Sequence, residues 1–404
     1  MSFKGRIDGV GKADSGVLRK NGRDFSVEHL FDSDFSRKMD EKLRYCYENF
    51  DKIVADSLDV PKTALAEMPR NIKFLSRLLT YARNELRLDY MNDNRNLSAY
   101  AMYFQWWNIF RLGPLFARLD DSFFAPLEKN PVIFDGGSGP LTVPIALFFA
   151  RPDLRKKPLT FYCVDRSRSV LALGESLLLS IQAKSGITAD WKIVRVCDDF
   201  FTVKLRQQAG MVFCANALTE REHKQNPVGS LLENAVQDCS VFVVEPGTPV
   251  SSKLLVKMRD VFAGRGFFSH RPCPTCKKCP KQIITHQKWC HFTLDVEKNA
   301  PEGLRKISVA AGLQKEKASV SFLAMSKVRP REDDTLLSVR VFSDVLRLSQ
   351  GQCGRYGCSS AGLILLMGKE VPNLQNGDLL TFSAADCKNL PRDEKSGALI
   401  LSLS

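Results

Sequence analysis

Long apolar runs are missing from this chain. No stretch reaches the roughly eighteen apolar residues that a membrane-spanning helix needs, and "AMYFQWWNIF" is broken by Gln105 and Asn108. A targeting pattern is missing too. "MSFKGRIDGVGKAD" has no apolar core segment and carries Asp8 and Asp14, so it matches neither a secretory signal nor an acid-poor mitochondrial presequence. The expectation is a chain that works in the reducing cytoplasm where it is made. Disulfides are rare there, and clustered cysteines mean metal or redox chemistry. Internal repeats and low-complexity segments are also lacking. No catalytic base or nucleophile stands out. His223 is a single histidine in a polar stretch. Asn216 in "VFCANALTE" sits at a strand end, where it can orient a substrate amine or cap the turn that follows.

What the chain does have is length, core-forming residues and an uneven charge. Its 404 residues, 44% of them apolar, can fill two or three packed domains. The net charge is +13, and the segment from Arg265 to Arg331 holds fourteen Lys and Arg against four Asp and Glu. Glu332 to Ser404 has seven basic and nine acidic residues. Such a block is either a solvated basic face or a surface for an acidic polymer, with nucleic acid ahead of membrane.

Texture divides the chain into five parts. Residues 1–40 are polar and turn-rich and read as an arm. Residues 41–124 repeat apolar positions at three- and four-residue spacing in "MDEKLRYCYENFDKIVADSL" and "RNIKFLSRLLTYARNELRL", a helical domain, with Pro61 suited to a helix's first turn. Its aromatics Tyr103, Phe104, Trp106, Trp107 and Phe110 read as core rather than as a base-stacking surface. Residues 125–269 alternate short apolar strands with helical segments, which means a mostly parallel sheet covered on both faces. Residues 270–331 form a basic, cysteine-rich loop region, and residues 332–404 a C-terminal β segment.

At the first strand–helix junction stands "DGGSGP". Glycines there allow positive φ and close approach of backbone N–H groups to a nucleotide-like ligand. Asp135, Gly136, Gly137 and Gly139 are the candidate cradle. Asp165, closing the next strand, can accept two hydrogen bonds from a ribose diol, and Asp198 or Asp199 can meet an adenine amino group. An acid at the second junction favours S-adenosylmethionine over a dinucleotide. The structural alternative is a tight turn packing a helix on a sheet. Leu141 stands where methyltransferases of this kind often have another glycine, and a side chain there would crowd the methionine end of the cofactor.

"HRPCPTCKKCPKQIITHQKWCHFTL" sets Cys273, Cys276, Cys279 and Cys290 in a loop too rich in Pro and Lys to pack its own core. Ordering such a loop costs backbone entropy, and metal ligation can supply the missing stabilisation. Zinc on four thiolates, or on three with His286 or His291, and an iron–sulfur cluster both satisfy the spacing.

"VEPGTP", "HRPCPTCKKCP" and "KWCHF" together resemble the methyltransferase-like family of ribosomal small-subunit proteins, over roughly Tyr90 to Lys369. Mitochondrial members of that family assist assembly of the small ribosomal subunit. The resemblance implies a Rossmann-like methyltransferase α/β fold, with an N-terminal helical domain and a C-terminal β segment joined by a metal-binding loop. It also implies a four-cysteine iron–sulfur site, expected as 4Fe–4S, at Cys273, Cys279, Cys290 and Cys358 of "RYGCSSAGLILL". Cys276 and Cys353 would be additional thiols, and His291 would support the site. The chain departs from the family pattern with "CPT" for the usual "CPH", and with "QKEKASVSFLAM" where an acidic run is usual. The function so implied is ribosomal RNA binding in support of small-subunit assembly, with no membrane and no DNA. An active S-adenosylmethionine-dependent rRNA methyltransferase and an iron- or redox-responsive regulator of translation are the alternatives.

Overall fold

A computed structural model describes residues 16–18, 25–80, 85, 90–220, 227–280, 289–331, 333–348 and 351–403, and the statements below concern these residues. The chain forms two compact units, one of residues 1–30 with 332–404 and one of residues 31–331. His223 and His286 lie outside the described residues.

The first unit starts with β1 (Gly16–Leu18) and β2 (Phe25–Glu28), an antiparallel pair in the region read as a polar arm. It resumes with β11 (Leu336–Val341) after the second unit, which contributes β3 to β10 in between. The remaining strands are β12 (Leu346–Arg347), β13 (Cys353–Ser359), β14 (Gly362–Met367), β15 (Leu379–Ser383) and β16 (Leu399–Ser402). Their order is β1-β2-β15-β11-β13-β14-β16, with β12 on β13. Alternating Leu337, Val339 and Val341 of β11 meet Leu380 and Phe382 of β15 and Phe25 of β2 in one apolar core. Phe25 pairs with Phe382 in register, so residues far apart in sequence close this sheet.

The second unit opens with helices. Asp40 caps α1 (Glu41–Glu48) by accepting from the Lys42 N–H at 3.0 Å. Asn49, at φ −123°, separates it from α2 (Phe50–Ser57), so one expected helix is two. After Pro61 comes α3 (Lys62–Thr80), then α4 (Asn94–Ala99), a π-helical segment Tyr100–Gln105, α5 (Trp106–Phe116) and α6 (Pro126–Lys129). Trp106, Trp107, Tyr103 and Phe110 are all within 1% of full burial. These four aromatics are core, as their spacing indicates, while Phe104 is half-buried.

The sheet of this unit begins with β3 (Val132–Gly136), followed by α7 (Thr142–Ala150) and α8 (Pro152–Arg155). Next come β4 (Leu159–Asp165), α9 (Arg168–Ser185), β5 (Trp191–Cys197), β6 (Ala209–Ala215), α10 (Pro227–Glu233), β7 (Ala235–Pro246) and α11 (Pro249–Gly264). The alternation expected for residues 125–269 is present, but the sheet continues beyond it. β8 (Phe268–Arg271), β9 (Phe292–Asp295) and β10 (Lys317–Ser326) join it, with α12 (Val296–Asn299) and α13 (Glu302–Ala310) between the last two strands. The order is β5-β4-β3-β6-β7-β10-β8, with β9 also on β10. β3 to β7 pair in parallel, whereas β10 runs antiparallel to β7, β8 and β9.

Numbering β3 to β8 as one to six and β10 as seven gives the order 3-2-1-4-5-7-6 with the seventh strand reversed. That is the arrangement of the S-adenosylmethionine-type methyltransferase fold, and it sets the Gly-rich turn at the carboxyl edge beside the point where strand order reverses. The cysteine loop lies between the sixth and seventh strands, so it is inserted into the sheet's connectivity rather than appended after it. Almost every position of β10 is buried: β7, β8 and β9 pair along its edges, and α5 and α11 pack against it.

Candidate functional site

The turn after β3 is built by backbone geometry that the sequence allows at three positions. Gly137 has φ +68°, Gly139 φ +54° and Leu141 φ +54°. Glycine takes this region freely, whereas leucine there costs about 1–2 kcal/mol. Leu141 is fully buried, and its Cδ1 would lie 2.7 Å from a Cβ placed on Gly174 of α9. Its side chain is thus directed into helix packing, and burial offsets the backbone cost. The same glycine explains how α9 approaches so closely, since a Cβ there would come within 2.3 Å of the Pro140 carbonyl carbon.

Two acids hold the turn. Asp165 accepts the Gly139 N–H through Oδ2 and the Ser167 N–H through Oδ1, each at 3.0 Å. Burial raises its pKa, and those backbone donors with Arg166 oppose the rise. Asp135 is fully buried and accepts from the Ser138 hydroxyl at 2.5 Å through Oδ2, while Oδ1 has no hydrogen-bond partner among the described residues. Burial pushes Asp135 up to about 7 despite the Ser138 bond, and the charge of Asp165 adds to the rise. Gly137 and Ser138 both donate to the Val164 carbonyl, at 2.9 and 3.0 Å. On the other side, the buried Gln105 donates from Nε2 to the Pro140 carbonyl at 2.6 Å, tying the π-helical segment to the turn.

The other expected cofactor residues split. The Asp198 N–H donates to the Asp165 carbonyl at 3.1 Å, which sets β5's end beside β4's, but the Asp198 side chain is exposed. Asp199 is ion-paired with Arg166. Gly136 is close to the Phe200 ring, 3.0 Å from where a Cβ would stand. Gly139, by contrast, has open space where its Cβ would be. The turn therefore offers an open approach at Gly139 flanked by Asp165. Each Asp165 oxygen keeps a lone pair beyond its backbone bond, so a ribose diol can still be accepted. These residues fit an adenosyl cofactor.

Asn216 has φ +57°, and its N–H donates to Val244 O at 2.8 Å, so it serves the turn after β6. Sequence reading missed Glu245, which is buried at the end of β7 and accepts from the Leu218 N–H at 2.8 Å and the Thr219 hydroxyl at 2.5 Å.

The cysteine loop is organised differently. Cys273, Cys276, Cys279 and Cys290 are half-buried in the second unit, while Cys353 and Cys358 belong to β13 of the first. Among the described residues, no three His, Cys, Asp or Glu side chains converge closely enough to hold a metal ion. Cys276 Sγ accepts the Ser269 N–H at 3.0 Å, and the Ser269 hydroxyl donates to the Cys273 carbonyl at 3.1 Å. Cys290 is held by its backbone: its N–H donates to Ser252 Oγ at 2.9 Å, and its carbonyl accepts from Ser321 at 2.7 Å. His291 stacks on Trp289 at 5.0 Å, and Trp289 donates to Gly247 O at 2.7 Å.

Under this loop is Arg259 of α11, whose side chain is 3% exposed. It donates to the Thr275 carbonyl at 2.7 Å, to the Lys277 carbonyl at 2.5 Å and to Asp260 at 3.1 Å, and its Nε has no hydrogen-bond partner among the described residues. Burial alone would lower its pKa. The Cys273 thiol, with Cys279 and Asp260, reverses the sign and moves it upward. The described thiols thus do not form a coordination set. The polar chemistry gathered there is a buried cation facing sulfur.

Basic residues collect at β8, the edge strand. The Lys327 ammonium meets the Arg265 carbonyl and lies 4.9 Å from the Phe267 ring centroid, and Arg329 lies 5.6 Å from that of Phe268. Arg265, Lys277, Lys278, Arg329 and Arg331 are all exposed. No helix among the described residues is long and apolar enough to cross a membrane.

Strand order and turn define a methyltransferase-type α/β protein. The chain belongs to the family described as mitochondrial small ribosomal subunit Rsm22, whose model matches residues 130–350. No curated protein sequence matches it. Among solved structures it is similar to the plantazolicin methyltransferase BamL, crystallised with a desmethylPZN analogue and SAH, at 10% identity over 66% of this chain and 99% of that one, TM-score 0.31. It is also similar to a SAM-dependent methyltransferase from Geobacter sulfurreducens with S-adenosyl-L-homocysteine, at 14% identity over 52% of this chain and 91% of that one, TM-score 0.29.

Proposed function

We propose that this chain is an RNA-binding protein of the small ribosomal subunit, acting in subunit assembly through the basic rim around β8 and the cysteine loop. The observation that carries the reading is the gathering of Arg265, Lys327 and Arg329 at one sheet edge, next to a loop that exposes Lys277 and Lys278. Phosphate contacts of this kind set affinity and register rather than sequence choice. Binding to small-subunit rRNA should weaken steeply with salt. Replacing Lys277 and Lys278 by alanine should lower the slope of log affinity against log salt by about one per residue. Binding that ignores salt would remove the proposal. The site of action is the compartment where the chain is made, on our reading the cytoplasm.

A second reading, S-adenosylmethionine binding with methyl transfer to rRNA, is favoured by the open approach at Gly139 and the two backbone-anchored acceptors of Asp165. Calorimetry with S-adenosyl-L-homocysteine tests it, with Asp165→Ala expected to weaken binding at least tenfold. Heat flow absent at millimolar ligand would exclude the cofactor.

The cysteine loop is proposed to carry an iron–sulfur cluster, with Cys273, Cys279 and Cys290 among its thiol ligands. The support is that resemblance and the buried cation beside two of the thiols. Iron and sulfide analysis of protein purified without oxygen decides between it and zinc.

A further inference from the structure

A cleft of about 490 Å³ lies where α5, α12, α13 and the start of β10 meet, and none of its lining residues belongs to the glycine-rich turn or the cysteine loop. Trp107, 1% exposed, is part of its wall. The Lys315 ammonium lies 4.8 Å from the Trp107 ring centroid and 5.8 Å from that of Tyr103. The Tyr103 hydroxyl donates to the Leu313 carbonyl at 3.3 Å, which fixes the chain two residues before that lysine. Solvent reaches Lys315, which is exposed as a residue, while its ammonium end is drawn against the rings. Burial of that end lowers its pKa to about 8, and the charge of Arg111 adds to the fall. Arg111 itself is spent on the Trp107 and Ser319 carbonyls and on Asn108 Oδ1.

No carboxylate pairs with these cations. Arg305 and Lys317 share the lining, and neither they nor Lys315 nor Arg111 forms an ion pair among the described residues. Arg305 Nε is buried and has no hydrogen-bond partner among them. Of the acids at the cleft, Asp295 caps α12 by accepting the Lys298 N–H at 3.0 Å, and Glu297 and Glu316 are exposed. Contact with an indole offsets only part of the cost of a desolvated ammonium, and a second cation nearby adds to it. A perturbed amine in a cleft with unpaired cations marks a site for an anion. An ammonium and a guanidinium suit phosphate oxygens, and the volume falls within the range of small-ligand clefts. We propose that this cleft binds a phosphomonoester of mononucleotide size, its phosphate taken by Lys315 and Arg305 and its apolar part lodged against Val296, Val309 and Trp107. A free nucleotide and the 5′ end of an RNA strand both carry that group. Only the second source rests on the RNA-binding reading.

Uridine 5′-monophosphate and uridine are titrated calorimetrically into the full-length chain at pH 7 and pH 9.5, as wild type, Lys315→Met and Lys315→Arg, with melting curves to verify folding. The phosphate is a dianion over most of this range, so the protein's own groups dominate the pH response. Unliganded Lys315 loses its proton through about 8, whereas a bound anion retains it, so affinity falls as pH rises. The expected result is binding of the monophosphate and not of uridine, at least tenfold weaker in Lys315→Met, and at least tenfold weaker for wild type at pH 9.5 than at pH 7. Lys315→Arg, whose charge does not titrate, should lose that pH dependence. No heat from the monophosphate at millimolar concentration, or equal affinities of wild type and Lys315→Met, overturns the proposal. If Lys315→Met does not fold, wild type against Lys315→Arg carries the comparison, and parallel pH profiles overturn it. Lys277→Ala with Lys278→Ala should leave monophosphate binding unchanged, so a failure of the rRNA reading leaves the cleft untouched; loss of binding there would place the phosphate on the basic rim and overturn the proposal. Competition with one short RNA, 5′-phosphorylated or 5′-hydroxyl, then separates the sources. Stronger displacement by the phosphorylated strand assigns the cleft to an RNA end, and equal displacement assigns it to a free nucleotide.

Discussion

The glycine-rich turn and the cysteine loop both prepare a stretch of irregular backbone for a ligand, and they do it by opposite means. The turn is short and closed by its own strands: Val164 O takes two of its amides, Asp165 a third, and Gly174 lets a helix close over it. Its cost is local strain at Leu141, offset by burial. The loop, which has no large apolar side chain between Cys273 and Cys279, is held by polar side chains from its neighbours: Arg259 reaches the Thr275 and Lys277 carbonyls and Ser269 the Cys273 carbonyl. The difference teaches where fragility sits. Disturbing the turn means forcing atoms through a packed core, whereas the loop depends on a few polar side chains that reach its backbone.

The largest expected effect tests the turn's rigidity. Gly174→Val would push a side chain into the Pro140–Leu141 backbone, and a loss of about 3 kcal/mol or more in a denaturant melt is expected. A near-neutral result would mean that the turn yields as easily as the loop. Leu141→Gly comes next. It relieves about 1–2 kcal/mol of left-handed strain but forfeits about 2–5 kcal/mol of buried leucine, so burial wins and a net loss of about 1–3 kcal/mol is expected. Increased stability would show that strain, not packing, dominates the turn.

A pH series sharpens the comparison further. The pKa of Asp135 in the folded chain is raised to about 7 from 3.8, so the native state binds a proton that the unfolded chain has released. Its contribution to stability is complete below about 3.8 and is lost as pH rises through about 7. Asp135→Asn should lack that component of the fall, and chemical denaturation at pH 4, 5.5 and 7 reads the difference. Parallel curves for the two proteins would reject the buried-acid account. The smallest effect is at the loop's surface. Lys278→Ala should leave the melting curve within about 0.5 kcal/mol and change only the salt dependence of RNA binding.

Much of the α/β unit was legible because continuous apolar runs such as 159–165 and 239–244 admit few other readings. The turn at 135–139 and the acid at 165 were legible because glycine and aspartate have narrow uses at a strand's end. Other features depended on partners far along the chain. β10 has the pattern of an ordinary strand, and nothing local says that it enters the sheet between β7 and β8. Phe25 to Glu28 alternate weakly and read as an arm, yet they pair with Leu379 to Phe382. Gln105, Glu245 and Arg259 are polar residues in apolar surroundings, and each declares its role only through a bond to Pro140, Leu218 or Thr275. The four close-set cysteines suggested a ligand set, whereas among the described residues no three such groups converge, and two of the thiols, Cys273 and Cys279, lie near the buried Arg259.

The place of β10 also dictates an order of assembly. β8 has no seat on β7; it reaches the sheet only through β10, which ends at Ser326, more than fifty residues later. While the chain is being synthesised, the cysteine loop therefore emerges before the strand that will dock it. Through that interval the free margin of β7 offers unsatisfied amides and carbonyls to any passing strand. The loop's positive charge is exposed for the same interval, beside the nascent chain's own ribosome. Arg259 and Ser269, already made, are native partners available to the loop before the sheet is complete.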